Sequence, residues 1–215
     1  ATTMYELLKG HGIVPVIKFD SADDALPLAD ALAAGGIKIM EITYRSEAAS
    51  SAIEQVAKER PDILVGAGTV LNLEQLKAAE AAGAKFIVSP GFDETIVVEG
   101  LKRNLVMLPG CVTPSEIMAA MSLGLKVLKF FPASVYGGIK AIKSLASVFG
   151  GIKFMPTGGV TADNLAEYLS IPQIQACGGT WMVKANLING AEFETITKLS
   201  QEATDIYRKI RPDET

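Results

Sequence analysis

Two hydrophobic patterns alternate along the whole chain. Short runs of apolar and β-branched residues, typical of strands, are separated by longer stretches with apolar positions at helical spacing. A helix is therefore predicted after each strand, and a further helix near residues 2–10 precedes the first strand. The eight predicted strands are 13–19, 37–44, 63–70, 85–90, 105–110, 125–131, 152–159 and 174–179.

Residues with capping chemistry support the predicted helix boundaries. Hydroxyl, carboxylate and amide side chains accept hydrogen bonds from the first N–H groups of a helix, and glycine commonly follows its last turn. Such residues lie where one hydrophobic pattern gives way to the other. The candidate helix starts are Ser21, Asn72, Asp93, Thr113 and Thr161, and the candidate helix ends are Gly35, Gly36, Gly83 and Gly124.

The regular alternation of strands and helices predicts the fold class. Short connections between them imply parallel strands joined by right-handed crossovers. Eight such units close into a barrel, so we expect an α/β protein with a (β/α)8 TIM barrel, an extra N-terminal helix and one domain over residues 1–215. A doubly wound open sheet is the alternative architecture. A barrel builds its active site at the carboxyl ends of its strands, so polar residues there are the candidates for function.

Composition narrows the classes of function. The 215 residues carry a net charge of −4 and a pI near 5.2, which argues against a nucleic-acid partner. A single histidine, His11, and two distant cysteines provide no ligand set for a tightly bound transition metal. We therefore expect no metal site and no histidine-based catalytic triad, with His11 facing solvent.

The same sequence gives expectations about location. Cys111 and Cys177 lie far apart and are interpreted as reduced thiols. No apolar run reaches the roughly 18 residues of a membrane span, and the opening "ATTMYELLKGHG" lacks the apolar core of a signal peptide. We therefore expect a cytoplasmic protein with no membrane partner.

The segment "IKIMEITYR" (37–45) places charged residues on one face of a predicted strand. Side chains alternate between the two faces of a strand. One face carries Ile37, Ile39, Glu41, Thr43 and Arg45, and the other carries Met40, Ile42 and Tyr44. The second face is wholly apolar or aromatic, as expected beneath the outer helices, so Glu41 is predicted to point into the barrel. The same alternation in "LKVLKFF" (125–131) turns Lys129 inward.

Two interpretations of this inward pair remain open from the residues alone. Glu41 and Lys129 could form a structural salt bridge, although desolvation makes a buried pair a weak stabiliser. Alternatively, burial favours the uncharged amine of a lysine, and that amine forms Schiff bases with carbonyl substrates. Glu41 could then transfer protons, and Arg45 could bind a carboxylate through paired hydrogen bonds. The second interpretation predicts a site for a 2-oxo acid.

Two glycine pairs follow the last two predicted strands. Barrels commonly bind phosphate in the loops after strands 7 and 8, through backbone N–H groups. Either pair alone could make an ordinary tight turn, but their occurrence after consecutive strands favours phosphate binding. The segments are "PTGGV" (156–160) and "CGGTW" (177–181).

Several ordered motifs resemble those of the bacterial KDPG/KHG aldolases. These are class I lyases acting on 2-dehydro-3-deoxy-6-phosphogluconate (KDPG) and 4-hydroxy-2-oxoglutarate (KHG). The resemblance extends from about residue 12 to residue 208. Its main motifs are "AGGIKIMEITYRSEAA" (34–49), "VGAGTVLN" (65–72), "FIVSPG" (86–91), "GLKVLKFFPAS" (124–134), "FMPTGGVT" (154–161) and "CGGTWMV" (177–183).

The resemblance implies roles for particular residues. Lys129 is implied as the Schiff-base lysine and Glu41 as the general acid/base. Further implied contacts are Arg45 and Thr69 for the pyruvyl carboxylate, Pro90 and Phe131 for the pocket wall, Thr157 for the substrate, and Gly158, Gly159, Gly179 and Thr180 for the 6-phosphate. It also implies a homotrimer and no cofactor. Lys18 departs from the pattern, and it could either add a cation for an anionic substrate or be a solvated strand end.

The implied reaction cleaves KDPG to pyruvate and glyceraldehyde 3-phosphate, and KHG to pyruvate and glyoxylate, with a place in the Entner–Doudoroff pathway. Two alternatives remain. A sugar-phosphate epimerase or isomerase would share the glycine loops without needing an inward lysine. A non-catalytic oligomeric scaffold would have no use for Glu41, Arg45 and Lys129.

Overall fold

The computed structural model of the protein describes residues 2–215, with eight strands and ten α-helices in that range. The strands are β1 (Ile13–Ile17), β2 (Ile39–Thr43), β3 (Leu64–Gly68), β4 (Phe86–Ser89), β5 (Val106–Pro109), β6 (Val127–Phe130), β7 (Lys153–Pro156) and β8 (Cys177–Gly179). The helices are α1 (Met4–Leu8), α2 (Ala25–Ala34), α3 (Ala49–Glu59), α4 (Leu73–Ala82), α5 (Glu94–Lys102), α6 (Pro114–Ser122), α7 (Gly138–Val148), α8 (Leu165–Leu169), α9 (Ala185–Asn189) and α10 (Phe193–Ile210). Two short 3-10 helices cover Ala22–Asp24 and Pro212–Glu214.

Every predicted strand is present, and each is shorter than the sequence pattern suggested. Apolar residues beyond the strand ends remain buried although they no longer pair with a neighbouring strand. The apolar pattern in the sequence is therefore longer than the strand itself. After β7, Gly158 and Gly159 have φ values of +97° and +81°, so the extended backbone stops there. The predicted strand 152–159 therefore ends at Pro156.

All strand pairs are parallel, which confirms the α/β class. Six strands form one curled sheet in the order β5-β4-β3-β2-β1-β8, and β6 pairs with β7. Single backbone bridges, Gly110 with Lys129 and Phe154 with Ile174, lie between these two groups. The first and last strands are neighbours, and the order contains no reversal of the kind that a doubly wound sheet requires.

Strand register determines which residues share the inner face. Val16 lies beside Glu41, and Glu41 lies beside Gly66. Glu41 also approaches Lys129 on β6, a strand that is not its neighbour, so this face points inward. Met40 and Ile42 are fully buried on the opposite face, where α3 packs against β2. The predicted alternation along 37–45 is therefore confirmed.

The capping predictions are confirmed for four of the five helix starts. Side chains of Asn72, Asp93 and Thr113 accept from the first turns of α4, α5 and α6, and Ser21 caps the 3-10 helix Ala22–Asp24. The prediction for Thr161 was wrong. Asn164 accepts from the N–H of Thr161 and donates to the carbonyl of Gly159, which holds a turn and delays α8 to Leu165.

The structure also bears on the expectations for His11, for the two cysteines and for membrane-spanning segments. His11 is half-buried instead of facing solvent, because it lies where α1 turns into β1, and burial lowers the pKa of its imidazole. Cys111 and Cys177 are free and buried, and burial raises the pKa of each thiol to about 12. Within residues 2–215, no helix has both the length and the apolar character needed to cross a bilayer.

Candidate active site

The inner face of the sheet brings one lysine and one carboxylate together. Lys129 lies near the end of β6 and is 5% exposed, whereas Glu41 on β2 is completely buried. The Nζ of Lys129 lies 3.8 Å from Oε2 of Glu41, which makes an ion pair without a hydrogen bond. Both carboxylate oxygens of Glu41 are buried and have no hydrogen-bond partner among residues 2–215.

This geometry argues against a purely structural salt bridge. A buried ion pair offsets its desolvation only when close contact and additional hydrogen bonds satisfy the charges, and Glu41 has neither. Burial raises the pKa of the Glu41 carboxyl, while the positive charges of Lys129 and then Arg45 oppose that rise. A carboxyl with a raised pKa can both accept and donate protons closer to neutral pH.

Lys129 is tied to a neighbouring strand through its backbone and has an aromatic ring beside its amine. Its carbonyl accepts a hydrogen bond of 2.8 Å from the N–H of Cys111, which ties β6 to the end of β5. The half-buried ring of Phe131 lies beside the amine, with 5.0 Å from Nζ to the ring centroid. The ring of Phe131 therefore lies close to the amine of Lys129.

Arg45 lies at the mouth, just after β2. Its Nε donates a hydrogen bond of 3.2 Å to Oγ1 of Thr43, and this hydroxyl in turn donates to the carbonyl of Ile17 with a distance of 2.8 Å. The guanidinium is thus fixed to β1 through Thr43, while its side chain stays exposed. The sequence pattern predicted that Thr43 points inward but assigned it no role. Its position between Glu41 and Arg45 on the same strand face was the feature that could have identified it as a site residue.

Three more implied residues line the same end of the strands. Thr69 follows β3 with a φ of +53°, a conformation that is uncommon for a residue with a side chain. Pro90 follows β4 and is half-buried. Thr157 follows β7, is 5% exposed, and its Oγ1 has no hydrogen-bond partner among residues 2–215. Thr157 thus offers a buried hydroxyl to any group at the mouth.

The two glycine loops lie side by side. A Cβ at Gly178 would collide with Oγ1 of Thr157, so the loop after β8 rests directly on the end of β7. A Cβ at Gly159 would lie 2.5 Å from the side chain of Ser134, so only glycine allows this close approach. Gly158 receives the N–H of Ser134 on its carbonyl at 3.2 Å.

These loops present unpaired backbone donors. Within residues 2–215, the N–H groups of Gly158, Gly159 and Thr180 form no hydrogen bond, and Thr180 is exposed. Gly179 precedes Thr180, and the ring of Trp181 covers the space that a Cβ at Gly179 would occupy. Converging backbone N–H groups are the usual means of binding an anion without a charged side chain.

Lys18 does not join this group. Its side chain is exposed and its Nζ lies 3.7 Å from Oδ1 of Asp20, whose other carboxylate oxygen, Oδ2, accepts from Asn189. This arrangement favours the interpretation of Lys18 as a solvated strand end over that of a substrate contact. Of the eleven other predicted site residues, Glu41 and Lys129 lie within β2 and β6 on the inner face, and the other nine lie at or beyond the carboxyl ends of the strands.

Fold and site together define a parallel α/β protein whose inner face carries a buried lysine–carboxylate pair, with unpaired backbone N–H groups in the loops after β7 and β8. This is the arrangement expected of an imine-forming enzyme for anionic substrates. The chain belongs to the KDPG and KHG aldolase family, whose model matches residues 4–199.

Individual relatives resemble the chain over nearly its whole length. It is 45% identical over 203 residues to the 2-dehydro-3-deoxy-phosphogluconate aldolase of Haemophilus influenzae, covering 94% of this chain and 96% of that protein. It is 41% identical over 204 residues to the KHG/KDPG aldolase of Escherichia coli, covering 95% and 96%. A solved structure of KDPG aldolase from Legionella pneumophila, with pyruvate captured at low pH as a covalent carbinolamine intermediate, matches with a TM-score of 0.90. That structure shares 38% identity, over 93% of this chain and 97% of its own.

Proposed function

We propose that this protein is a class I aldolase that cleaves KDPG to pyruvate and glyceraldehyde 3-phosphate, and KHG to pyruvate and glyoxylate. The observation that carries the proposal is the buried pair of Lys129 and Glu41, 3.8 Å apart on the inner face of the parallel strands. The carbinolamine captured in the Legionella pneumophila relative supports covalent chemistry with pyruvate in this family.

The proposed reaction begins with the amine of Lys129. It attacks the C2 ketone of the substrate to form a carbinolamine, whose hydroxyl takes a proton from the carboxyl of Glu41 and leaves as water, which gives a protonated imine. The imine takes up the electron pair of the C3–C4 bond as that bond breaks, while the carboxylate of Glu41 receives the proton of the C4 hydroxyl. The aldehyde then leaves and an enamine remains on Lys129.

The second half restores the enzyme. The Glu41 carboxyl returns its proton to C3 of the enamine, and water hydrolyses the resulting imine to release pyruvate and the free amine of Lys129. Every electron pair and proton is accounted for by Lys129, Glu41 and water. The imine serves as the electron sink, so the steps require no metal or organic cofactor.

The remaining residues are proposed to bind and orient the substrate. Arg45 and Thr69 hold the pyruvyl carboxylate, and the fixed guanidinium of Arg45 favours paired hydrogen bonds to it. Thr157 contributes its unpartnered buried hydroxyl to the substrate chain. Pro90 and Phe131 form the wall of the pocket, and the ring of Phe131 already lies beside the amine.

The 6-phosphate of KDPG is proposed to bind at the glycine loops. Gly158, Gly159, Gly179 and Thr180 provide the cradle, which is supported by the unpaired N–H groups of three of them. KHG carries no phosphate, so the cradle would contribute binding energy for KDPG alone. We therefore expect the two substrates to differ mainly in KM.

The finer architecture is part of the same proposal. We propose that the eight strands act as one (β/α)8 TIM barrel in a single domain of 1–215, with α1 as the extra N-terminal helix. The bridges from Gly110 to Lys129 and from Phe154 to Ile174 support closure of the barrel.

A homotrimer in the cytoplasm is proposed from the family resemblance. Val135 and Tyr136, which follow β6, are 75% and 56% exposed, and exposed apolar side chains support contact with a second copy. Light scattering should give three times the chain mass of 22.7 kDa. A mass equal to that of one chain would contradict the trimer without affecting the proposed chemistry.

The first experiment is borohydride reduction in the presence of pyruvate, followed by peptide mass spectrometry. We expect a reduced pyruvyl adduct on Lys129, the same adduct in the control variant Lys126→Met, and none in Lys129→Met. Lys126 is exposed and lies three residues earlier, so it controls for nonspecific labelling. Folded protein without the adduct would refute the imine mechanism and favour the isomerase alternative.

A further inference from the structure

The carboxyl group of Glu41 lies directly against a glycine of the neighbouring strand. Gly68 is the last residue of β3, and its partner in the β2–β3 register is Thr43, two residues beyond Glu41. The Glu41 side chain leans toward the mouth and lies over Gly68. A Cβ at Gly68 would overlap Oε2 of Glu41 and would lie 2.9 Å from both Cγ and Cδ.

The backbone gives no reason for glycine at this position. The φ of Gly68 is not in the left-handed region, so a residue with a side chain could adopt the same conformation. The three heavy atoms nearest to the missing Cβ all belong to Glu41. What glycine provides at position 68 is therefore empty space, and Glu41 occupies it.

No hydrogen bond fixes the carboxyl of Glu41. Both of its oxygens lack a partner among residues 2–215, so the shape of the surrounding walls and the attraction of Lys129 determine its position. Carbon atoms in contact normally lie about 3.5–4.0 Å apart, and a methyl group at position 68 would force the side chain away. The backbone would not need to move, because the group in the way is the end of a flexible side chain.

We propose that Gly68 is a positioning residue for the reaction, which holds open the space that places the Glu41 carboxyl 3.8 Å from Lys129. This inference rests on the proposed role of Glu41 as the general acid/base. It assigns no contact with substrate to Gly68 itself. A methyl group there is expected to displace the acid/base while the fold remains intact.

Gly66 offers a matched control on the same strand. It is the direct register partner of Glu41, and its φ also lies outside the left-handed region. A Cβ at Gly66 would overlap atoms of the Phe86 ring, and a rigid ring has fewer rotatable bonds than the side chain of Glu41 with which to make room. Gly66→Ala therefore measures the effect on kcat of an added methyl group that displaces no catalytic side chain. Gly68→Ala measures the effect on kcat of displacing Glu41.

The experiment is a double-mutant cycle between Gly68→Ala and Glu41→Ala, with kcat expressed per folded molecule. In the presence of Glu41, Gly68→Ala should lower kcat about 100-fold, because a misplacement of about 1 Å can have that effect. In the Glu41→Ala background the same change should cost less than about 3-fold, since no carboxyl remains to be displaced. Gly68→Ala should also shift the acidic limb of the pH–rate profile, which Gly66→Ala should leave in place.

The outcomes separate this inference from the proposed function. Equal losses from Gly68→Ala in both backgrounds, or a wild-type rate in Gly68→Ala, would overturn the role of Gly68. A wild-type rate in Glu41→Ala would instead refute the proposed role of Glu41. If Gly68→Ala fails to fold, the double variant should still fold, because the atoms that its methyl group would meet are gone. An unfolded double variant would overturn the inference as well.

Discussion

At the scale of single residues, environment determines what Glu41 can do. A glutamate on the surface is ionised above about pH 4.3, and it has little tendency to donate a proton near neutrality. The complete burial of Glu41 raises the pKa of its carboxyl, with Lys129 and Arg45 limiting the rise. The residue type provides the chemistry, and the position on β2 tunes it.

We expect Glu41→Gln to lower kcat about 10²- to 10⁴-fold, the usual contribution of a general acid/base. In the wild-type protein, activity should fall as the carboxyl becomes protonated. Because burial raises its pKa, the acidic limb of kcat/KM should lie above the ordinary value of about 4.3. Rates measured from pH 4 to 9 test both statements. An acidic limb that persists unchanged in Glu41→Gln would assign that limb to another group.

At the scale of elements, strand ends and loops build the site. The segment after β7 combines a buried hydroxyl on Thr157 with two glycines in the left-handed region. Hydrogen bonds from Ala133 and Ser134 to Thr157 and Gly158 join this loop to the one after β6, the strand that carries Lys129. The loop proposed to bind phosphate is thus hydrogen-bonded to the segment that follows the strand of Lys129.

Gly159→Ala should impair phosphate binding selectively. Its φ of +81° and the approach of a Cβ to within 2.5 Å of Ser134 would both distort the loop. We expect KM for KDPG to rise about 10-fold or more, the effect of about 1.4 kcal/mol, while KM for KHG changes little.

Gly150→Ala is the matched control for that variant. Gly150 lies in the connection before β7, and a Cβ there would have no heavy atom within 4 Å. Steady-state kinetics with both substrates should therefore leave Gly150→Ala close to wild type. An equal rise in KM for both substrates in Gly159→Ala would place the 6-phosphate elsewhere.

At the scale of the whole molecule, one arginine connects the segment after α10 to the segment before β8 through hydrogen bonds. Arg211 follows α10, and its guanidinium donates to four carbonyls, one on the last residue of α8 and three in the segment between α8 and β8. The acceptors are Leu169, Ile171, Ile174 and Gln175. This contact lies at the opposite end of the strands from the mouth, so it serves stability and has no part in the chemistry.

Arg211→Met should lower the free energy of unfolding by about 3 kcal/mol, because several carbonyls would lose a charged donor. Urea denaturation measures this loss, and kcat per folded molecule should be unchanged. Arg208→Met is the control, since Arg208 lies in the last turn of α10, is exposed, and its side chain forms no hydrogen bond or ion pair within residues 2–215. Equal stability of the two variants would show that the carbonyl contacts contribute nothing.

Much of the fold could be predicted because local patterns specify it. The alternation of apolar runs located all eight strands, and the side chains of Asn72, Asp93 and Thr113 located three helix starts. Thr161 failed as a helix start because Asn164, three residues later, competes for the same backbone groups. Competition between nearby polar side chains depends on geometry that a list of propensities does not contain.

The sequence by itself determined the class of fold, the inward direction of Glu41 and Lys129, and the family to which the chain belongs. These follow from period-two alternation and from ordered motifs, both of which are local properties of the chain. Only the tertiary structure decided that the two side chains meet at 3.8 Å without a hydrogen bond, and that Gly68 provides the space for one of them. Distances between strands that are far apart in sequence depend on sheet register and packing, which no local pattern encodes.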